Sequence, residues 1–210
     1  IGSKEYMMFL LFNELTEGMV APGMIRTPIL AGMIKAGCSW DEMSHVEELS
    51  IRGAAMAAVK SGVAMVIDGL NLIDQSLDLL FEERLAAERI IVAGCDDGRS
   101  VDTKRDQELA AKGVTIAYDH IGWEGNGVSD DQRIDMIKAM IDAGYGGQLT
   151  IASNAIAYPL GIKPPKHGSD YLLESFVPKL KSAGLDEAAI NSLLVENPKR
   201  ILTPGQGEGA

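Results

Sequence analysis

Short runs of apolar residues recur along this chain at near-even spacing, each followed by a stretch of helical periodicity, and no other feature narrows the fold as much. The runs predict strands at Ile29–Ala36, Ala64–Asp68, Ile90–Gly94, Val114–Asp119 and Gln148–Asn154. Between and around them, apolar spacing predicts helices over Lys4–Met19, Asp41–Lys60, Leu72–Ala87, Val101–Lys112, Ser129–Ala143, Asp170–Ser182 and Asp186–Glu196. Ser129 followed by Asp130, Asp131 and Gln132 has the form of an N-cap with an acidic first turn, and Gly113 and Gly144 sit where a glycine ends a helix. The strands are apolar along their whole length instead of alternating, as strands covered on both faces must be. The fold class is therefore α/β with parallel strands.

The strand starts define a βα repeat of about 24 to 35 residues, and eight such units need about 250 residues. A chain of 210 residues holds five. Two architectures compete on this ground: an open doubly wound sheet, or five units (strands 4 to 8) of a (β/α)8 TIM-type barrel whose first three are not in this chain. The expectation is a single domain over residues 1–210.

Charge and cysteine usage exclude several classes of function. With 19 basic and 30 acidic residues the net charge is −11, which repels nucleic-acid backbones and anionic membranes. Cys38 and Cys95 have neither CxxC nor Cys/His spacing, so no disulfide framework or structural zinc is indicated, and a reducing cytoplasmic compartment is expected. No apolar run reaches the roughly 20 residues needed to span a bilayer.

In both architectures functional groups gather just past the C-terminal ends of parallel strands. The residues there are Lys35, Asp68, the run Gly94–Asp97, Asp119 with His120, and Ser153 with Asn154. Polar groups at nearly every strand end are more than an open loop surface requires, and simple solvation is the bland alternative for any one of them.

Several of these pieces resemble the phosphotriesterase family of the amidohydrolase superfamily: Lys35 in AGMIKAG, GCDD at Gly94–Asp97, AYDHIG at Ala117–Gly122, DDQRIDMIKAMIDAGYGGQL at Asp130–Leu149, and FVPKLKSAGLDEAAINSLLVENPKRIL at Phe176–Leu202. The likeness runs from about residue 8 to residue 203. It implies a (β/α)8 barrel, with the strands here numbered fourth to eighth, and a binuclear metal site at the barrel mouth. It also implies that Lys35 occupies the position of a carbamylated lysine bridging the metals. At the remaining ligand positions this chain has Asp68, Gly94 and Asn154, where the family pattern has histidine, histidine and aspartate. The chain has three histidines, His45, His120 and His167, and lacks the first strand with its His-x-His pair.

A hydrolytic metal pair needs several imidazoles and carboxylates converging on two cations to acidify a bridging water. Without them Lys35 is expected to remain an amine neutralised by Asp68, and no cofactor is expected; an active form would need a divalent metal such as zinc. The resemblance also assigns Asp97 and His120 to a proton relay whose inner end here is Asn154, a side chain that cannot pass a proton. A bland alternative is that Asp97 and His120 hydrogen-bond across neighbouring strand ends.

Three functions compete on these residues. One is a degenerate family member with a structural or protein-binding role; another is a metal-dependent hydrolase of lactones, carboxylic esters or phosphotriesters with a rebuilt site. The third is a metal-free small-molecule binder whose specificity loops, Gly122–Asp130 and Ala157–Asp170, offer Trp123 and Tyr158. Five barrel strands alone leave open edges, so either a longer N-terminus, a partner chain or a homo-oligomer is expected to cover the gap.

Overall fold

The computed structural model describes residues 2–39, 41–98, 101–123, 127–153, 168 and 170–207. The chain divides into two compact units, residues 1–93 with 199–210, and residues 94–198. No helix among the described residues is long and apolar enough to cross a membrane.

The first unit opens on α1 (Lys4–Thr16), whose N-cap Ser3 accepts from the Tyr6 amide. A small antiparallel hairpin of β1 (Val20–Ala21) and β2 (Ile25–Arg26) follows, turned through Gly23 and Met24, both at positive φ. At two residues per strand it is too short to leave a periodicity in the sequence. Three parallel strands then form the unit's sheet: β3 (Met33–Gly37), β4 (Ala64–Asp68) and β5 (Ile90–Val92). β3 begins later than the apolar run predicts. Ile29 and Ala31 are tied instead to the preceding elements, Met19 N–H donating to the Ile29 carbonyl at 2.8 Å and Ala31 N–H to that of Glu14 at 3.0 Å.

Helix α2 (His45–Ser61) starts on a full capping box, Ser44 with Glu47, and ends at Gly62 in the left-handed region. Its Ile51, Ala54, Ala55 and Ala58 are buried. Gly53 lets α1 close on α2: a Cβ there would stand 2.6 Å from both the Lys4 carbonyl oxygen and Met7 Cβ. Helix α3 (Ile73–Glu82) stops short of the predicted Ala87, because Arg84 turns into the left-handed region at φ 65° and Leu85 N–H bonds back to the Leu80 carbonyl.

The second unit pairs β6 (Thr115–Tyr118) in parallel with β7 (Leu149–Ile151), with α4 (Thr103–Ala111) and α5 (Asp130–Asp142) preceding them in turn. Gly113 and Gly144 do end α4 and α5, at φ 98° and 88°. The last predicted helices each contain a π turn, Leu172–Phe176 leading into α6 (Val177–Ser182), and Ser192–Glu196, which joins α7 (Glu187–Asn191) to α8 (Asn197–Leu202). Each π turn stops two residues before a proline, Pro178 and Pro198. A proline lacks the amide for the regular ladder and presses on the carbonyl one turn back, and the wider turn relieves both. Asn197 of the NPKRIL segment is nearly buried, and its side-chain amide donates to the carbonyls of Gly146 and Leu149 at 2.8 Å each, fixing the entry into β7.

Candidate functional site

In the second unit the turn after β5 carries Gly94, Cys95 and Asp96 into full burial. Gly94 is at φ 75°, a conformation that disfavours any side chain, and its N–H donates to Asp119 Oδ1 at 2.9 Å. Asp96 is fully buried and fully used. Its Oδ1 accepts from the amides of Asp119 and His120, and its Oδ2 accepts Nε of Arg133 at 2.7 Å. Arg133, also with no exposed surface, completes its guanidinium by donating to the carbonyls of Val128 and Trp123. The fork thus ties the turn after β5, the loop after β6 and the start of α5 into one charged, satisfied network.

His120 sits on that network. Its Nδ1 is 3.1 Å from Asp119 Oδ1 and 3.3 Å from Asp96 Oδ1. Hydrogen bonds from Asp119 and then Asp96 outweigh burial and push the imidazole up to about 10, so at neutral pH it is an imidazolium. Trp123 stands edge-on to it with ring centroids 5.9 Å apart, and its indole N–H donates to the Ser153 carbonyl. Trp123 therefore packs on its own framework.

Asp97 lies half-buried in the same turn, its N–H donating to the Gly94 carbonyl at 3.0 Å. The carboxylates that face His120 Nδ1 are those of Asp96 and Asp119. The sequence places both among the strand-end groups but pairs Asp97 with His120, since adjacent acids in GCDD and the single acid of AYDH carry no sign of which turns inward. Arg133 was missed. It had a signal: with Ile137 and Met140 it keeps the i, i+4, i+7 stripe that faces the core.

In the first unit Lys35 is the middle residue of β3, not past a strand end as expected, and Asp68 is the last residue of β4; Lys35 Nζ is 3.1 Å from Asp68 Oδ2 and both side chains are about half exposed. An ion pair so open to water contributes under about 1 kcal/mol. His45 begins α2 on the surface. Asn154, Tyr158 and His167 lie outside the described residues.

The metal implied by the resemblance can be tested against these donors. Among the described residues Asp96, Asp119 and His120 form a group whose ligand atoms lie within 4.8 Å of one another. Yet the Asp96 oxygens already face the amides of Asp119 and His120, the His120 Nδ1 and a buried guanidinium. A divalent ion there would have to displace a cation and unpair a buried arginine. At the family's own positions Gly94 has no donor side chain, and Lys35 and Asp68 are bound to each other. The described donors do not fit a binuclear centre.

The sequence model of the phosphotriesterase family matches residues 4–202, and the chain belongs to that family. It is 30% identical over 217 residues to a phosphotriesterase-related protein of Nematostella vectensis, covering 91% of this chain and 59% of that one. It is 29% identical to the N-acetyltaurine hydrolase of Dictyostelium discoideum, covering 86% of this chain and 52% of that one. In structure it resembles a lactonase from Listeria monocytogenes with a TM-score of 0.85 at 20% identity, over 97% of this chain and 62% of that chain. The fold is thus the α/β, TIM-barrel type of this family in part, and the chain spans about half to three-fifths of the length of the curated relatives it matches.

Proposed function

We propose that this chain is a phosphotriesterase-family unit whose binuclear metal site has degenerated and whose role is structural or binding. One observation carries the reading: at the sixth-strand ligand position stands Gly94, held in a left-handed turn with its N–H spent on Asp119. Beside it Asp96 is bound to Arg133, and the carboxylates of Asp96 and Asp119 both face His120 Nδ1, so their charge is already balanced by protein groups. A protonated His120 is also poorly suited to accept a proton from water, as a general base must.

The alternative is a metal-dependent hydrolase of lactones, carboxylic esters or phosphotriesters, with donors from polypeptide outside the described residues. The names of the relatives favour it, since one is an N-acetyltaurine hydrolase and another a lactonase. Metal analysis together with a hydrolysis panel separates the two. The expected result is no stoichiometric zinc, cobalt, manganese or iron after dialysis, and no metal-stimulated turnover of a lactone, an aryl ester, a phosphotriester or N-acetyltaurine. One tightly held ion per chain with metal-dependent turnover would replace this reading by the alternative.

A further inference from the structure

The turn after β6 that carries His120 and Trp123 is held by more than the fork between Asp96 and Arg133. Ile121 N–H donates to the Ala152 carbonyl at 3.1 Å, so the turn first continues the pairing of β6 with β7. Gly122 then enters the left-handed region at φ 86°. A Cβ there would stand 2.8 Å from Cδ1 of Tyr171. Glycine is required twice over at this point, by the backbone and by the tyrosine ring against it.

Asp130, the first residue of α5 and only 2% exposed, holds the same point from the other side. Its Oδ1 accepts the Gly122 amide at 3.3 Å, and its Oδ2 accepts both the Tyr171 hydroxyl and, at 2.8 Å, Lys179 Nζ. Lys179 Nζ also lies 3.2 Å from the Tyr171 oxygen. A buried carboxylate is costly unless it is paired and hydrogen-bonded, and Lys179 supplies the paired charge. Tyr171 therefore closes a triangle, with its ring on Gly122, its hydroxyl on Asp130, and Asp130 on Gly122.

The turn also holds the connection after β7 at both its ends. At the start, Trp123 donates its indole N–H to the Ser153 carbonyl at 2.9 Å; at the finish, Tyr171 packs on Gly122. Adjacent residues of one turn thus fix where that connection leaves the sheet and where it rejoins the framework. The helix that follows does not need Tyr171 for its own anchoring, since Phe176 and Leu180 are both fully buried.

We propose that Tyr171 is a positioning residue for His120 and Trp123: through Asp130 and Gly122 it sets the place of the turn that presents them beyond the end of β6. Groups that meet a ligand are held in place by neighbours whose own side chains are locked by packing and hydrogen bonds, and Asp130 with Lys179 locks Tyr171. The use of this placement rests on the binding role proposed above; the placement itself does not.

The test is Tyr171→Phe in the 210-residue chain, which keeps the ring on Gly122 and removes the hydroxyl. Hydrogen exchange is followed by nuclear magnetic resonance at the Gly122 amide and the Trp123 indole N–H. Both are expected to exchange more than about tenfold faster, while the Ile116 and Ala117 amides of β6 change by less than about threefold. Unchanged rates at the two turn protons overturn the proposal. Equal acceleration in β6 overturns it too, because Tyr171 would then be a general stabiliser. If Tyr171→Phe does not fold, Lys179 decides: the same two protons are expected to speed up in Lys179→Met and to return to their original rates in Lys179→Arg, and no difference between these variants overturns the proposal. Neither readout involves metal or turnover, so a tightly held ion would replace the function proposed above and leave the placement of the turn to this result.

Discussion

Arg133 holds the second unit's charged network together, and its worth lies in what it leaves behind when removed. Arg133→Met takes a fully buried cation from Asp96, whose carboxylate then keeps the Asp119 and His120 amides and the His120 imidazole. Loss of one partner from a buried pair costs about 3–5 kcal/mol, and urea unfolding of the variant is expected to show a loss of that order. His120 gives a pH signature. Its pKa rises from 6.5 to about 10 on folding, so its contribution to stability is fully present below 6.5 and is lost as pH rises through about 10. The urea midpoint is expected to fall across that window, and His120→Gln to flatten the fall; an unchanged slope in the variant would remove the imidazolium from the network. Both residues were hard to weigh from sequence, because a charged side chain on an inward stripe shows its partner only when the fold closes.

At the scale of elements, local chemistry wrote most boundaries in the sequence. Ser129 with Gln132 is a capping box and Gly113 and Gly144 are C-terminal glycines, so α4 and α5 were placed closely, whereas α2 starts at His45 behind the Ser44–Glu47 capping box, four residues past the predicted Asp41. Helix α3 was overextended because its stop is written in Arg84, a residue that gives no turn signal yet adopts φ 65°. Arg84→Gly relieves that backbone strain and is expected to stabilise by about 0.5–1 kcal/mol, read as a higher thermal midpoint. The π turns before Pro178 and Pro198 were likewise invisible to a 3.6-residue period, which sees a continuous helix.

At the scale of the molecule, the degenerate-site reading makes a prediction about metal removal. A resident structural or catalytic ion adds its binding energy to folding, so its loss lowers the melting point. Overnight dialysis against a strong chelator is expected to leave the melting temperature of this protein unchanged within about 1 °C, measured by calorimetry. A clear drop, reversed by zinc, would show that residues outside those described complete a metal site.

What the sequence determined is the α/β class, the order of five strands and their helices, and the strand ends where Asp68, Gly94 and His120 would fall. These follow from period, apolar runs and capping, which are properties of neighbours along the chain. The tertiary structure alone decided that His120 turns to Asp96 and Asp119, that Arg133 neutralises Asp96, and that among the described residues one face of α1 and one edge of β3 stay bare. Those depend on which distant residues meet, and a linear pattern of apolar and charged positions is the same whether or not a partner arrives to cover it.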